Sequence, residues 1–363
     1  MANDAFEYVF PAIRGVQARR EYYTSMCPLK LIPKIFLFDE EGLPPEHRAQ
    51  RVLNKGRIPE MVRYIVENPD TYTFSALTAS IDGTVRFAPI EGGDGRIGLL
   101  HVPMQCRFII NDGQHRRAAI EAALRSNPAL GDESIAIVFF LDRGLQRCQQ
   151  MFADLNRHAV RVSSSLGLLY DTRDQRAKLA KEIALRSALF RDVIEFERST
   201  LSPRSRKLFT LSAIHTATNA LFAGREPRGL EEDANQAVEF WEEVARHIPE
   251  WTLVRERRLP AGEVRQSFIH SHGIALHAIG RVGNALLSAD KPWKKILGAL
   301  EQIDWARANA NAWEGRALLG GRVSKAEQNG VLTTNLIKKK LKVPLGPEEK
   351  RAEDAFLRGE QDG

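Results

Sequence analysis

The chain has 363 residues, 43% of them hydrophobic, and its 52 Lys and Arg against 46 Asp and Glu give a formal net charge of +6. This composition excludes a disordered class, and the length exceeds one ordinary domain, so two domains are expected. Cys27, Cys106 and Cys148 lie far apart without a CxxC or a His at ligand spacing, which argues against a disulfide framework or a zinc site; no leader pattern opens MANDAFEYVFPAIRG, and no run of about 18 apolar residues suggests a membrane span. A cytoplasmic protein with no membrane partner is expected.

KLIPKIFLF (30–38) reads as a buried strand, the stretch from about Glu46 to Asn68 as a helix, and YTFSALTASID (72–82) as a strand. Asp82-Gly83 turns the chain, with VRFAPI as hairpin partner across that turn, and EGGDG (91–95) is a loop. The strands IGLLHVPM and RFIIN follow, then a helix from about Gly113 to Arg125 closed by Asn127-Pro128, then the apolar strand SIAIVFFLD (134–142). RFIIN, the helix and SIAIVFFLD make a β-α-β unit. From about Leu145 the texture becomes helical, with approximate spans 145–157, 164–170, 173–188, 210–223, 231–247, 264–288, 292–300 and 304–318. The expectation is therefore an α+β fold, with a mixed-sheet domain over 1–168, a mainly α-helical domain over 169–341 as the candidate DNA-binding region, and a polar, partly disordered tail over 342–363. No internal repeat is found.

The chemistry concentrates where RFIIN meets the next helix, at Asp112-Gly113-Gln114-His115-Arg116-Arg117. A helix that starts directly after a strand offers open backbone N–H groups and the positive end of its dipole to an anion. Gly113 lets the backbone come close, Gln114 is a further phosphate-binding candidate, Arg116 and Arg117 supply charge-assisted donors, and His115 can donate to an oxygen or move a proton. Asp112 either holds magnesium or caps the helix. An equally simple reading makes Asp112 a cap, His115 a satisfied first-turn residue and both arginines a solvated face. Nearby, MFADLNRHAVRVSSSLG (151–167) offers Asn156 and Arg157 to the same phosphates, whereas Ser163 to Ser165 cap the next helix.

Basic residues are clustered. Residues 171–230 hold twelve Lys and Arg against seven acids, and residues 321–343 hold six against one, whereas residues 231–250 hold seven acids against one Arg. In RSTLSPRSRKLFTLSAI, Arg198, Arg204, Arg206 and Lys207 occur with no acid among residues 198–207 and with Ser202 and Ser205 as neutral donors, the pattern of a surface that tracks phosphates. A solvated basic loop is the alternative. NLIKKKLKVPL (335–345) is a second candidate for DNA. Cys27, beside Lys30 and Lys34, is either a DNA-contact or redox-sensing thiol, or a buried and inert one. His270, His272 and His277 are structural, because residues two apart on a helix face different ways.

These strings carry a resemblance. DGQHR is the signature after which a domain family is named, and it resembles the GxHR-type motif of the ParB/sulfiredoxin superfamily, whose corresponding loop binds nucleotide phosphates. FPAIRGVQARREYY (10–23), MCPLKLIPKIFLFDEE (26–41), RVLNKGRIPEMVRYI (51–65), FSALTASIDG (74–83), FIINDGQHRRAAIE (108–121), QQMFADLNRHA (149–159) and RSRKLFTLSAI (204–214) resemble the DndB family of DNA sulfur modification proteins. The resemblance implies a bacterial protein with a ParB/sulfiredoxin-like N-terminal domain that represses the phosphorothioate modification operon. It would bind double-stranded DNA of the operon promoter region, as a homodimer and alongside other DNA sulfur modification proteins. No strong helix-turn-helix signature accompanies it. A competing expectation is a hydrolase of ATP or another nucleotide, or a DNA nickase, in which Asp112 and Asn156 hold Mg2+, His115 assists proton transfer and Arg116 stabilises charge on phosphate. A third is a structural partner of the modification complex that presents the acidic helix with Phe240 and Trp241.

Overall fold

The computed structural model describes residues 6–36, 53–92, 94–141, 145–157, 162–289 and 292–361, apart from the side chains of 145, 146, 156, 157, 360 and 361. The chain forms two compact units, Met1–Val160 and Arg161–Gly363, and each is described by itself.

The first unit begins with a hairpin that turn chemistry conceals. Strand β1 (Glu7–Gln17) returns as β2 (Arg20–Pro28) through Ala18 and Arg19, which both adopt positive φ, 50° and 63°. Such two-residue turns match the twist of the strands, but they usually carry Asn or Gly, so nothing in the string Gln-Ala-Arg-Arg announces this one. Pro11 also argues against a central strand. It is accommodated because the β2 ladder runs only from Ala12 to Gln17, and the Ser25 hydroxyl donates to the freed Pro11 carbonyl at 2.7 Å.

A 3-10 turn at Leu29–Leu31 then leads into α1 (Ile32–Ile35), followed by α2 (Ile58–Glu67), β3 (Leu77–Asp82), β4 (Arg86–Pro89) and β5 (Ile97–Pro103). After these come β6 (Arg107–Asp112), α3 (Gln114–Ser126), β7 (Ser134–Phe140) and α4 (Leu145–Arg157). The strands form one mixed sheet in the order β4-β5-β1-β2-β7-β3-β6, in which only the β3–β7 pair is parallel. One face, bearing Phe10, Tyr23, Leu100, Ile110, Ile137 and Phe139, packs with Ile32, Ile65, Ile120 and Ala123 of the helices.

Three expectations are corrected here. The apolar run from Lys30 is helical where it is described, because Pro33 stands in the first turn of α1, where a missing N–H costs nothing; Leu37 and Phe38 lie outside the described residues. VRFAPI pairs with β5, Arg86 opposite His101, and not with the strand before the Asp82-Gly83 turn. The β-α-β unit is not a parallel crossover: β3 lies between β7 and β6, parallel to the first and antiparallel to the second. Of the helix foreseen from Glu46, residues 46–52 lie outside the described residues, Lys55–Arg57 is a 3-10 turn and the α-helix begins at Ile58; the strand foreseen from Tyr72 begins at Leu77.

The second unit is mainly helical: α5 (Ser164–Tyr170), α6 (Gln175–Arg186), the two-residue parallel strands β8 (Ile194–Glu195) and β9 (Phe209–Thr210), α7 (Leu211–Leu221), α8 (Leu230–Arg246), α9 (Pro249–Arg255) and α10 (Ala261–Ser267). After these come α11 (Gly273–Leu287), α12 (Trp293–Leu297), α13 (Ala310–Trp313), the pair β10 (Leu318–Leu319) and β11 (Arg322–Val323), α14 (Glu327–Lys340) and α15 (Pro347–Gln361). Helix α11 packs so closely on α7 that a Cβ at Gly280 would stand 2.3 Å from the Ala217 carbonyl oxygen. Among the described residues no helix is long and apolar enough to cross a membrane.

Polar partners explain where this unit departs from expectation. The span 264–288 is two helices, because Phe268 leaves the helix in an extended conformation and bridges to Ala306. The span 304–318 contains only the short α13. In the acidic α8, Phe240 and Trp241 are fully buried, so they offer no contact surface. The polar tail is largely the helix α15. It is anchored by Glu353, which takes a two-pronged ion pair from Arg316 at 2.7 and 2.9 Å and a hydrogen bond from Asn335 at 3.1 Å. Lys338, 7% exposed, donates to both oxygens of Glu349, and Lys339 bonds Glu353 at 2.5 Å, so two cations of the 335–345 run are used internally.

Burial alone would raise the Glu353 carboxyl, but the hydrogen bonds from Arg316, Lys339 and Asn335 outweigh it and bring it down to about 2. A carboxyl depressed on folding stabilises above its unfolded value and loses that contribution as the pH falls toward the folded one. Glu353→Gln leaves Arg316 buried against a neutral partner. It should cost about 3 kcal/mol of stability at neutral pH and flatten the loss of stability between pH 4.5 and about 2, as measured by urea unfolding across pH.

Candidate functional site

The turn from β6 to α3 is set by Gly113. Its φ is +107°, a conformation that residues with a Cβ rarely adopt, and a Cβ there would also press on the tip of the Leu77 side chain at 2.4 Å. Gly113 is also the N-cap residue of α3 and brings no side-chain cap, so the cap imagined for Asp112 is absent. Asp112 instead ends β6 and accepts from Arg116 at 2.5 Å.

Both arginines of the motif are engaged inward. Arg116 donates from Nη1 to the Ser75 and Ala76 carbonyls at 2.6 and 2.7 Å and to the Ser75 hydroxyl at 2.5 Å, which ties α3 to the segment entering β3. Arg117 is 6% exposed and donates to the Phe36 carbonyl at 3.0 Å, to Pro33 at 3.3 Å and to Glu121. Neither guanidinium forms the solvated face that a bare reading of the spacing allows, and neither is presented as a ready phosphate clamp. His115 Nε2 accepts the Asn54 backbone N–H at 3.2 Å, which places the ring proton of a neutral imidazole on Nδ1.

Two amide side chains at this turn have unmet bonding capacity. Gln114 is 5% exposed and its amide nitrogen has no partner among the described residues. Asn111 is fully buried; its amide nitrogen reaches Ser80 at 2.7 Å and the Met151 sulfur of α4 at 2.9 Å, while its amide oxygen has no partner among the described residues. Asn156 and Arg157 close α4, with side chains outside the described residues. Among the described residues no group of three or more His, Cys, Asp or Glu is placed to hold a metal.

Arg198, Arg204, Arg206 and Lys207 lie in the second unit, in the loop between β8 and β9. Arg198, Arg204 and Arg206 are exposed with no ion-pair partner among the described residues, while Lys207 donates to the Asp192 carbonyl at 2.9 Å. The loop backbone is fixed from beneath by Arg265 of α10. That guanidinium is 9% exposed and donates to the carbonyls of Ser202 at 2.7 Å, Pro203 at 3.4 Å, Ser205 at 3.2 Å, and Lys207. Sequence reading missed Arg265. It is a lone cation in AGEVRQS, and its acceptors are some sixty residues away along the chain, at separations of 58 to 63.

The remaining candidates are structural. Cys27 has no exposed surface and burial pushes its thiol up to about 12, so the charges of Lys30 and Lys34 do not activate it and it has no face for DNA. Ser163 caps α5 by accepting the Leu166 N–H. His270 is fully buried, accepts the Trp251 indole N–H at 3.0 Å and stacks on Phe268. Burial brings His272 down to about 4. Arg265→Lys keeps a charge but loses the fork, so trypsin should cut the folded variant at Arg204 to Lys207 about tenfold faster than the parent chain, read by timed digestion and mass spectrometry.

Comparison with known proteins bears on all of this. No curated protein and no solved structure matches the chain. The model of a protein family described as DndB, DNA-sulfur modification-associated, matches residues 10–344, across both units. The chain therefore belongs to the DndB family and has its role in the DNA sulfur modification system.

Proposed function

We propose that this chain is a DNA-binding negative regulator of the phosphorothioate modification operon and that it holds promoter DNA through the 198–207 loop. The observation that carries the reading is the contrast between Arg265 and the cations above it: one buried guanidinium fixes the loop backbone, and Arg198, Arg204 and Arg206 stand exposed without acidic partners among the described residues. A loop ordered before binding loses little conformational freedom when it meets phosphates, and its arginines displace counterions. Such contacts position the duplex rather than read its sequence. A homodimer would present two such loops to the two halves of a site, and other modification proteins of the system are the natural further partners.

Fluorescence anisotropy with a duplex from upstream of the operon and a scrambled duplex, titrated across salt, tests this. Replacing Arg198, Arg204 and Arg206 by Ala should weaken both duplexes and reduce the salt slope by about 0.9 for each phosphate that is no longer neutralised. Unchanged affinity and slope in the triple variant would remove the loop from the interface.

A second reading has its own support. The α3 N-terminus is uncapped, and the buried Gln114 amide nitrogen beside it lacks a partner among the described residues, so a phosphate oxygen of ATP or another nucleotide would satisfy donors already in place. This agrees with the nucleotide role implied by the likeness to ParB/sulfiredoxin proteins. Asp112 is paired with Arg116, a contact that a magnesium ion would have to share or displace, and the Asn156 side chain lies outside the described residues. Gln114→Leu should lower ATP affinity about tenfold by calorimetry while promoter binding stays as in the parent. Phosphate release or plasmid nicking by the parent chain, lost in His115→Ala, would instead favour the enzyme.

A further inference from the structure

The helical unit contains a cavity of about 970 Å³ that the DNA reading does not use. Its walls come from the start of α7, α11 and α14 and from the loop side at Ser199 to Leu201 and Pro203. These three helices, of 11, 15 and 14 residues, all open on the same space with their N-terminal ends.

The capping of these ends differs in a telling way. Helix α7 is closed by the Thr210 hydroxyl, which accepts from Ala213. Helices α11 and α14 have no side-chain cap. At α11 the His272 carbonyl accepts from Ala275 and Leu276, and the N–H groups of Gly273 and Ile274 have no acceptor among the described residues. At α14 the Ala326 carbonyl accepts from Gly330, and the N–H groups of Glu327, Gln328 and Asn329 are likewise without one. Orphan donors at a helix start are ordinarily met by a cap, water or a ligand. Two uncapped starts that face one cavity supply donors and positive partial charge for an anion.

The rest of the lining sets the kind of anion. Lys325 adds a cation at the α14 end, and Glu327 is the carboxylate that offsets it. Burial lowers both His272 and His277, so near neutral pH they bring hydrogen-bonding capacity and not charge. Leu201, Phe209, Ile274 and Val323 offer apolar surface, while the hydroxyls of Ser199 and Ser212 are engaged with Ser164, Ser165 and Thr210. A bare inorganic ion would leave most of this wall uncovered. A cavity of this size is at the upper end of the range for small-molecule sites, roughly 300 to 1,000 Å³.

We infer that this cavity binds a small organic phosphate of mononucleotide size, with its phosphoryl group at the α11 and α14 N-termini and its ring against the apolar wall. The same chemistry is present in a free nucleotide and in the phosphorylated end of a DNA strand. Because the 198–207 loop forms part of the wall, an occupant also touches the backbone that Arg265 fixes. Any effect of occupancy on promoter affinity rests on the DNA reading above; the binding itself does not.

The test uses the full chain, with AMP and inorganic phosphate as probes in calorimetry, and two variants that place a carboxylate where helices favour one. Ala326→Asp supplies the missing cap of α14, and Gly273→Asp puts an acid in the first turn of α11, where the ideal Cβ meets Ala213 at an ordinary 3.7 Å. Both should keep or raise the melting temperature. Each should weaken AMP by about tenfold or more, which corresponds to at least roughly 1.4 kcal/mol. Inorganic phosphate should bind more weakly than AMP. Duplexes with and without a 5′-phosphate separate the sources: a preference for the phosphorylated end that both variants abolish assigns the DNA end, and AMP binding without that preference assigns the free nucleotide. If the parent chain binds neither AMP nor the phosphorylated end, or if well-folded variants bind them as the parent does, the inference is overturned. Promoter affinity measured on the same samples shows separately whether the DNA reading holds.

Discussion

A guanidinium taken out of water must find an acceptor for nearly every N–H it carries, and in this protein the acceptors are mostly backbone carbonyls from distant parts of the chain. Arg116 gathers the entry to β3, Arg117 holds α1 against α3, Arg265 fixes the loop between β8 and β9, and Arg316 meets Glu353 of α15 and the Leu332 carbonyl. Each adds directional bonds between segments that the apolar cores already bring together. The planar fork with five donors makes this an arginine task; a lysine in any of these places would satisfy fewer carbonyls and leave the others buried without a partner. A consequence for charge is that the net +6 is a poor guide to the surface, since several of its cations, Arg117, Arg265, Arg316 and Lys338 among them, are buried.

How much of the fold is legible in the sequence follows the range of the physics involved. RFIIN and SIAIVFFLD are strands because continuous apolar runs of that length suit a buried sheet, and α3 starts and stops where glycine and Asn127-Pro128 say it should. The hairpin of β1 and β2 is illegible because its turn uses Ala18 and Arg19 in a conformation those residues seldom adopt. LIPKI could be strand or helix by hydrophobicity alone, and only Pro33 at the start of a helix decides it. The break at Phe268 depends on a bridge to Ala306, and α15 depends on ion pairs with α14, so both are invisible to local pattern. The DGQHR turn is legible as a strand-to-helix junction. The destinations of its arginines are not, because carbonyl acceptors carry no residue signature.

The two candidate regions therefore use similar residues in opposite ways. In the first unit the most recognisable string encodes a junction whose two arginines are committed to shape, with the α3 N-terminus and the unmet amides of Gln114 and Asn111 beside them. In the second unit a featureless arginine supports a loop whose charges remain outward. The chain belongs to the DndB family, described as DNA-sulfur modification-associated, and within it the two regions differ in whether their arginines are turned inward or left exposed.

The sheet order has a consequence for synthesis. Within this sheet β1 and β2 are synthesised before their other neighbours, yet they lie in the middle of its strand order; β1 must wait for β5 and β2 for β7, which ends at Phe140. Until then the hairpin has two unprotected edges, with Val9 and Ile13 on its outward face. Edges of that kind recruit other strands, so nascent chains crowded on one messenger would be prone to pair with each other. Protection of this hairpin during translation, by a chaperone or by slow spacing of ribosomes, would then govern how much native protein a cell obtains.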